Sequence, residues 1–91
     1  LIGALNDDAD DVRAEASTLL GKLHDATWAE PLLSPKLSDP VAQVRKNAAL
    51  ALMKLEAVGA RPLLEQLAEA ESDPGVQAVF RLAINQLNPE D

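Results

Sequence analysis

Five apolar positions recur three times in this chain at one constant spacing. Their offsets of 0, 4, 7, 8 and 11 in the central copy place the side chains on one stripe of a helix. The three copies are Val12, Ala16, Leu19, Leu20 and Leu23, then Val44, Ala48, Ala51, Leu52 and Leu55, then Val76, Phe80, Ala83, Ile84 and Leu87. A helical stripe that repeats at one spacing predicts a stack of similar units that bury their apolar faces on one another.

The composition favours an all-α fold of one small domain. The chain has 91 residues, of which 47% are hydrophobic and only 2% aromatic, so its core must consist of Leu, Ala and Val. β-Branched residues nowhere alternate with polar ones over more than a few positions, as they do in typical strands. Small aliphatic side chains suit closely packed helices.

The charge of the chain disfavours two classes of partner. The net charge is -7, from 15 acidic and 8 basic residues, whereas nucleic acids and anionic membranes are bound mainly through Lys and Arg. No stretch approaches the ~18 apolar residues of a membrane-spanning helix. The absence of cysteine is typical of a reducing compartment. We therefore expect a cytoplasmic protein without nucleic-acid or membrane partners.

Two classes of helix alternate along the chain. A helices carry the repeated stripe, B helices carry pairs of leucines, and an A helix with the following B helix forms one repeat. We predict the end of a B helix at residues 1–5, repeat 1 at 9–37, repeat 2 at 41–71 and a C-terminal capping helix at 75–88. Because Leu1 opens in the middle of an apolar run, we expect the natural N-terminus upstream, whereas the polar tail at Glu90 and Asp91 indicates a true C-terminus.

Short polar side chains and prolines predict where the helices begin and end. The acidic run at residues 6–11 suits the positive end of the first A helix, and the sequence TWAE at Thr27 has the spacing of a capping box. Asp39 is expected to cap the central A helix. Pro35 is expected to bend or shorten the first B helix, and Gly59 to mark the turn after the central A helix.

Residues 39–52, DPVAQVRKNAALAL, and residues 7–23, which run from DDADDVR to LLGKL, carry further signals of a repeat. The chain resembles HEAT repeats. The features that it shares with them are a turn aspartate, a Val-Arg pair, an Ala-rich first helix and a second helix with a proline and a leucine pair. The closest variety is the short HEAT-like repeat first recognised in phycobilisome bilin lyases. The resemblance covers almost the whole chain. It implies an α-α superhelix of the HEAT or armadillo type, with about two and a half to three antiparallel helix pairs.

By this resemblance, a polar ladder between repeats is expected, with Arg13 reaching Asp7 and Arg45 reaching Asp39. The third repeat departs from the pattern. Gln77 stands where an arginine is expected, Phe80 replaces an alanine, and the turn before this repeat is read as longer by two residues. These changes suit a terminal repeat, which has no following neighbour.

Candidate catalytic and metal-binding groups are few. His24 is the one histidine, and its position between two helices favours an exposed turn residue over a general base. Asp7, Asp8, Asp10 and Asp11 could attract Ca²⁺ or Mg²⁺, but the run lacks the glycine and closing glutamate of an EF-hand loop. Helix capping explains these aspartates more simply. We expect no catalytic residue, no metal and no cofactor.

The resemblance implies that the B helices line the concave face of the solenoid. Some residues of the B helices are not needed for packing, and we call them the B surface. They are Glu30, Ser34, Lys36, Arg61, Glu65, Gln66 and Glu69. Their mildly acidic balance favours a protein or peptide partner with basic patches. Trp28, at the start of the first B helix, either anchors such a partner or covers the end of the stripe at Leu19 and Leu23.

Two functions stay open at this point. The first is a non-enzymatic interaction module that binds a protein partner. The alternative is part of a bilin lyase or another protein-modifying factor, whose groove would hold a phycobiliprotein and a tetrapyrrole. Recognition of DNA, as in HEAT-like glycosylases, is disfavoured by charge. Leu1, Ile2 and Leu5 are expected to form an apolar edge that binds upstream repeats or a second copy.

Overall fold

The computed structural model describes residues 3–23 and 25–88, and all the regular structure within these ranges is helical. Its α-helices are α1 Asp10–Leu20, α2 Ala26–Leu33, α3 Ala42–Lys54, α4 Arg61–Ala70 and α5 Pro74–Gln86. Short 3₁₀ helices lie at Gly3–Asn6, Ser34–Ser38 and Val58–Ala60. The prediction of an all-α fold built from stacked helices is confirmed.

The helices form two layers. The A helices α1, α3 and α5 stack side by side, because α1 packs on α3 and α3 packs on α5. The B layer contains the 3₁₀ helix Gly3–Asn6, then α2 with its 3₁₀ extension Ser34–Ser38, then α4. The B layer contributes four fully buried leucines to the common core, namely Leu5, Leu33, Leu37 and Leu64.

The repeated stripe forms the core of the second and third repeats. Its members there are buried, except for Leu55 and Ile84, which are half-buried. In the first repeat the expectation of burial is wrong for Val12, Leu19 and Leu23, which are 37%, 40% and 39% exposed. α3 and α5 each have an A helix before them in the stack. Within the described residues α1 has none, so one side of its stripe faces outward.

The apolar edge expected at Leu1, Ile2 and Leu5 is wrong for Leu5. This side chain is only 2% exposed, in a 3₁₀ helix that packs on α1. Leu1 and Ile2 lie outside the described residues. In the part of the chain that the structure describes, the apolar edge at this end of the stack is formed by Val12 and Leu19 on α1.

Two predicted helix starts are shifted along the chain. Asp25, rather than Thr27, caps α2, because the Asp25 carboxylate accepts a hydrogen bond from the backbone N–H of Trp28 at 3.3 Å. The helix α3 begins at Ala42, with the residue before it as N-cap. Asp39 therefore lies before that N-cap and is free for another role.

The chain leaves the α-helical conformation in different ways after α2 and after α3. The first B helix ends as an α-helix at Leu33 and continues as the 3₁₀ helix Ser34–Ser38, which is the shortening expected from Pro35. After α3, the residue in the left-handed region is Glu56, with φ 55°, and not Gly59. The N–H groups at and after Glu56 donate to carbonyls in the last turn of α3, which satisfies that helix end.

Gly21 marks a close approach between the first and second A helices. A Cβ atom at this position would lie 2.8 Å from both the Cα and the Cβ atoms of Ala51. Carbon atoms in protein interiors stay farther apart than this, so only glycine fits without a shift of the helices. The backbone φ of Gly21 is -66°, which any residue adopts. The requirement for glycine is therefore one of space.

We expect Gly21→Ala to lower the free energy of unfolding by about 1–3 kcal/mol, because the added methyl group overpacks this interface. Without that clash, the change would stabilise the protein by about 0.4–1 kcal/mol, since alanine restricts the unfolded chain. Urea unfolding followed by circular dichroism measures the difference. Gly3→Ala is the control, because its Cβ would meet no atom within 4 Å. A stabilising Gly21→Ala would contradict the close approach.

Candidate functional site

Arg13 joins the first repeat to the second. Its Nε donates to Asp39 Oδ2 at 2.9 Å and its Nη2 donates to Asp39 Oδ1 at 3.2 Å. Its Nη1 donates to the backbone carbonyls of Asp7 at 2.8 Å and Asp8 at 3.1 Å. One guanidinium thus fixes the turn before its own helix and binds the carboxylate of the next turn.

Arg45 repeats this arrangement in the second repeat. Its Nε and Nη2 donate to the Glu71 carboxylate at 2.9 and 2.8 Å, and its Nη1 donates to the Asp39 carbonyl at 2.8 Å. The expected ladder therefore needs a correction, because each arginine binds the carboxylate after its helix and only the carbonyl of the turn before it. Glu71 was missed in the sequence, although it lies one full repeat after Asp39.

The turn before α5 has the same length as the turns before the other A helices. The N-caps of the three A helices are Ala9, Val41 and Asp73, which are equally spaced along the chain. The expectation of a turn longer by two residues is wrong, because Asp73 caps its helix and Glu71 takes the position of Asp39. The repeat register is therefore continuous from α1 to α5.

Gln77 stands at the arginine position of the third repeat. Its Nε2 donates to the backbone carbonyl of Ala68 at 2.7 Å, within the layer of α4. Phe80, on the next turn of α5, is fully buried. In this repeat a neutral amide thus makes a local bond where the first two repeats have a charged bond to the next unit.

The Arg13–Asp39 pair is largely shielded from water, with side chains that are 13% and 5% exposed. Burial by itself raises the pKa of Asp39, but the hydrogen bonds from Arg13 and from Val41 N–H, with the charge of Arg13, outweigh it. They hold the pKa of this carboxyl below its ordinary value. The hydrogen bond to Asp39 also raises the pKa of Arg13. Both groups stay charged at neutral pH and fix the stacking register.

The basic groups of the B surface are tied to neighbouring elements. Lys36 Nζ donates to Asn6 Oδ1 at 3.1 Å, which links the two first members of the B layer. Arg61 Nε donates to the carbonyl of Ile84 at 3.1 Å, and Arg61 Nη1 lies 3.5 Å from Glu65 Oε2. These contacts hold both cations against the fold.

The acidic and amide groups of the B surface are more open. Glu65 and Glu69 lie one turn apart on α4, and both are exposed, as is Gln66. The half-buried Glu30 reaches the next repeat, since a Cβ atom at Gly59 would lie 2.9 Å from its Oε2. The hydroxyl of Ser34 donates to the carbonyl of Glu30 at 2.9 Å. The exposed acidic groups of the B surface are therefore the two carboxylates of α4.

Trp28 lies exposed at the start of α2. It is 44% exposed, and Leu19 and Leu23, which it was expected to cover, are themselves about as exposed. The interpretation of Trp28 as a lid over the stripe is therefore wrong. The half-exposed indole is left available at the first turn of α2.

The structure assigns local roles to the acidic run before α1. Asp7 Oδ1 accepts from the N–H of Ala9 at 2.9 Å, and Asp10 and Asp11 lie in the first turn of α1. Among the described residues no group of three or more His, Asp or Glu side chains could hold a metal ion. His24 lies outside the described residues. No helix in the described ranges combines the length and apolar character needed to cross a bilayer.

Comparison with known proteins gave two findings. The family model for HEAT repeats matches residues 1–85. The bilin biosynthesis protein MpeU of Synechococcus sp. strain WH8020 is 44% identical over 87 residues, which are 96% of this chain and 29% of that protein. The chain therefore spans less than a third of the length of this relative.

The second finding corrects one expectation. We expected a non-enzymatic module, but a protein that is similar to 96% of this chain is named a bilin biosynthesis protein. That name points to an enzymatic role, and the expectation is wrong. The motif residues of the repeat had no bearing on this question, because they serve the packing and stacking of helices.

We expect Glu71→Gln to lower the free energy of unfolding by about 1–3 kcal/mol, because the amide is a poorer acceptor for Arg45 and leaves its charge unbalanced. Glu69→Gln is the control, since Glu69 is exposed on α4 and a surface change of this kind costs at most about 0.5 kcal/mol. Urea unfolding measures both variants. Equal effects of the two substitutions would contradict a ladder that extends to the third repeat.

We expect Asp39→Asn to weaken the acid dependence of stability. The pKa of Asp39 is lower in the folded chain than its ordinary value of 3.8. Its contribution is therefore complete above that value and is lost as the pH falls through the folded pKa. The stability difference between parent and variant should be largest at neutral pH and shrink below about pH 4. Urea unfolding at stepped pH measures it, and a difference that grows in acid would contradict the lowered pKa.

Proposed function

Because the chain belongs to the HEAT-repeat family, we propose that it is the substrate-binding module of an enzyme of bilin chemistry. In this proposal the B surface holds the polypeptide that receives or carries the bilin. The module orients that polypeptide for the reaction, which also involves the rest of the enzyme.

The single observation that carries the proposal is the similarity to the bilin biosynthesis protein. The match covers 96% of this chain, so it includes the helices that form the B surface as well as those that form the core. A fold shared over both layers supports a shared use of the surface that they present. The reaction class is carried over from that relative as part of the proposal.

The rigidity of the stack supports a binding role. The Arg13–Asp39 and Arg45–Glu71 pairs lock three A helices in one register, and Glu30 and Lys36 connect successive members of the B layer. A surface held in place before binding loses little conformational freedom when a partner docks. The B surface therefore suits the positioning of a large substrate.

The charges of the B surface indicate which groups of the substrate it meets. Arg61 is held by the carbonyl of Ile84 and lies 3.5 Å from Glu65, so the charges of Arg61 and Glu65 offset each other in part, and Glu69 leaves the surface of α4 with a net negative charge. Glu65 and Glu69 face solvent on the same side of α4. Complementary lysine or arginine side chains of the polypeptide would meet these two carboxylates.

The test is charge reversal at Glu65 and Glu69. We expect Glu65→Lys with Glu69→Lys to weaken binding of a bilin-free phycobiliprotein subunit by about tenfold or more, measured by titration calorimetry. Asp8→Lys with Glu56→Lys is the matched control, because it makes the same change in net charge at exposed residues outside the B surface. Circular dichroism verifies that both variants keep their helices.

Equal weakening by both double variants would show a long-range effect of net charge and would contradict the assignment to the B surface. A second arm mixes the chain alone with phycocyanobilin. An absorbance shift there, lost on Glu65→Lys with Glu69→Lys, would assign the pigment to this surface in place of the polypeptide and would also contradict the proposal.

A further inference from the structure

Two of the A helices contain no acidic residue. Neither α3 nor α5 has an Asp or Glu, although the chain has 15 acidic residues and a net charge of -7. The basic residues of these two helices are Arg45, Lys46, Lys54 and Arg81. Positive charge is therefore concentrated on α3 and α5, whereas α4 in the B layer carries the exposed Glu65 and Glu69.

Most of these cations have no partner within the fold. Arg45 is bound by Glu71 in the ladder. In the part of the chain that the structure describes, the side chains of Lys46, Lys54 and Arg81 make no hydrogen bond and no ion pair. A cation without a partner in its own chain is open to a carboxylate of another molecule.

Two of the unpaired lysines share a surface with exposed leucines. Lys46, Leu50 and Lys54 lie on one side of α3, because residues four positions apart are neighbours on a helix. Leu82 stands on α5 one full repeat after Leu50, and it is 46% exposed. Leu50 itself is half-buried. Because α3 packs on α5, these four residues form one surface, which we call the A surface.

A depression continues the A surface toward α1. It has a volume of about 100 Å³ and is lined by Thr18, Asn47, Leu50, Ala51 and Lys54. Thr18 stands on α1 one full repeat before Leu50, and its hydroxyl donates to the carbonyl of Ala14 at 3.3 Å. The polar group of Thr18 is thus used within its own helix, and the depression offers room for an apolar side chain.

The A surface has an apolar row with a cation on either side. Leu50 and Leu82 lie on stacked helices, whose axes are about 8–10 Å apart. Lys46 and Lys54 lie on opposite sides of Leu50, each roughly 6 Å away along the axis of α3. The row therefore crosses the A helices between the two lysines, and the space there matches the diameter of one helix, which is about 10–12 Å.

We propose that the A surface binds an amphipathic helix of a partner polypeptide, which carries an apolar stripe with acidic residues along both of its edges. The bound helix lies across α3 and α5. Two leucines seven positions apart on it are about 10.5 Å apart, so one contacts Leu50 and the other contacts Leu82. Its acidic residues meet Lys46 on one edge and Lys54 on the other. This inference does not rest on the function proposed for the B surface.

Two other classes of partner fit the A surface less well. Nucleic acids are bound through several phosphate contacts and often through stacking on aromatic rings, whereas an apolar row separates the two lysines of the A surface. The net charge of -7 also repels nucleic acids and anionic membranes as a whole. A helix with both apolar and acidic side chains matches the row and the lysines together.

The test uses two synthetic peptides of identical composition. In the amphipathic peptide, leucines form one helical stripe with glutamates along both edges, and in the scrambled peptide the leucines are spread around the helix. We expect the amphipathic peptide to bind the isotope-labelled chain about tenfold or more tightly than the scrambled peptide. In an NMR titration, the amide resonances of the A surface should shift most.

Charge substitution tests the two lysines. We expect Lys46→Gln with Lys54→Gln to weaken binding of the amphipathic peptide by about tenfold or more. Thr27→Glu with Gln66→Glu is the matched control, because it lowers the net charge by the same amount at exposed residues outside the A surface. Circular dichroism verifies that both variants keep their helices.

A second pair of variants tests the apolar row. We expect Leu82→Ser to weaken binding of the amphipathic peptide by about threefold or more, because it removes half of the leucine row. Val58→Ser is the matched control, since the parent side chains of both variants are 46% exposed. The control should bind the peptide as the parent chain does.

Four outcomes would overturn the proposal. They are equal effects of a variant and its matched control, equal affinities for the two peptides, resonance shifts that lie outside the A surface, and tighter binding of another anionic probe. The other probes are a single-stranded DNA oligonucleotide and vesicles that contain phosphatidylglycerol. Tighter binding of either probe than of the amphipathic peptide, lost on Lys46→Gln with Lys54→Gln, would assign the A surface to that class of partner.

Discussion

The stacking of A helices determines most of what this protein presents to its surroundings. An amphipathic helix cannot bury its stripe alone, so α3 rests on α1 and α5 rests on α3. The close contact at Gly21 and Ala51 shows how tightly the first two members approach. Because alanine positions such as Ala51 lie in the contact between A helices, the stack depends on a close fit.

The arginine ladder fixes the register in which these helices pack. Apolar contacts alone tolerate small slides of one helix along another, whereas Arg13 and Arg45 bind two oxygens of a carboxylate with fixed geometry. Each guanidinium also holds the turn before its own helix. The position of each turn is thereby coupled to the next repeat. The positions of the B helices depend on those of the A helices, because each B helix is joined to its A helix by a short turn.

The separation of structural and surface residues explains why the repeat pattern left two functions open, a protein-binding module and part of a bilin lyase. The apolar stripe, the ladder and the close glycine are all used in folding. Groups that a partner can reach, such as Glu65 and Glu69, do not belong to the repeated pattern. The residues that define a repeat scaffold therefore identify its fold, and its function has to be argued from the surface groups.

The helices, their alternation and the repeat length can be predicted from the amino-acid sequence, because a helical stripe and its turns are local patterns of consecutive residues. The resemblance to HEAT repeats also located the arginines of the ladder. The pairing of Arg13 with Asp39 and of Arg45 with Glu71 depends on how two repeats stack, because each partner lies 26 residues away, and it is therefore seen in the folded chain alone. The exposure of Val12 was decided there as well. A pattern makes Val12 equivalent to Val44, but burial depends on whether a neighbouring helix covers the residue.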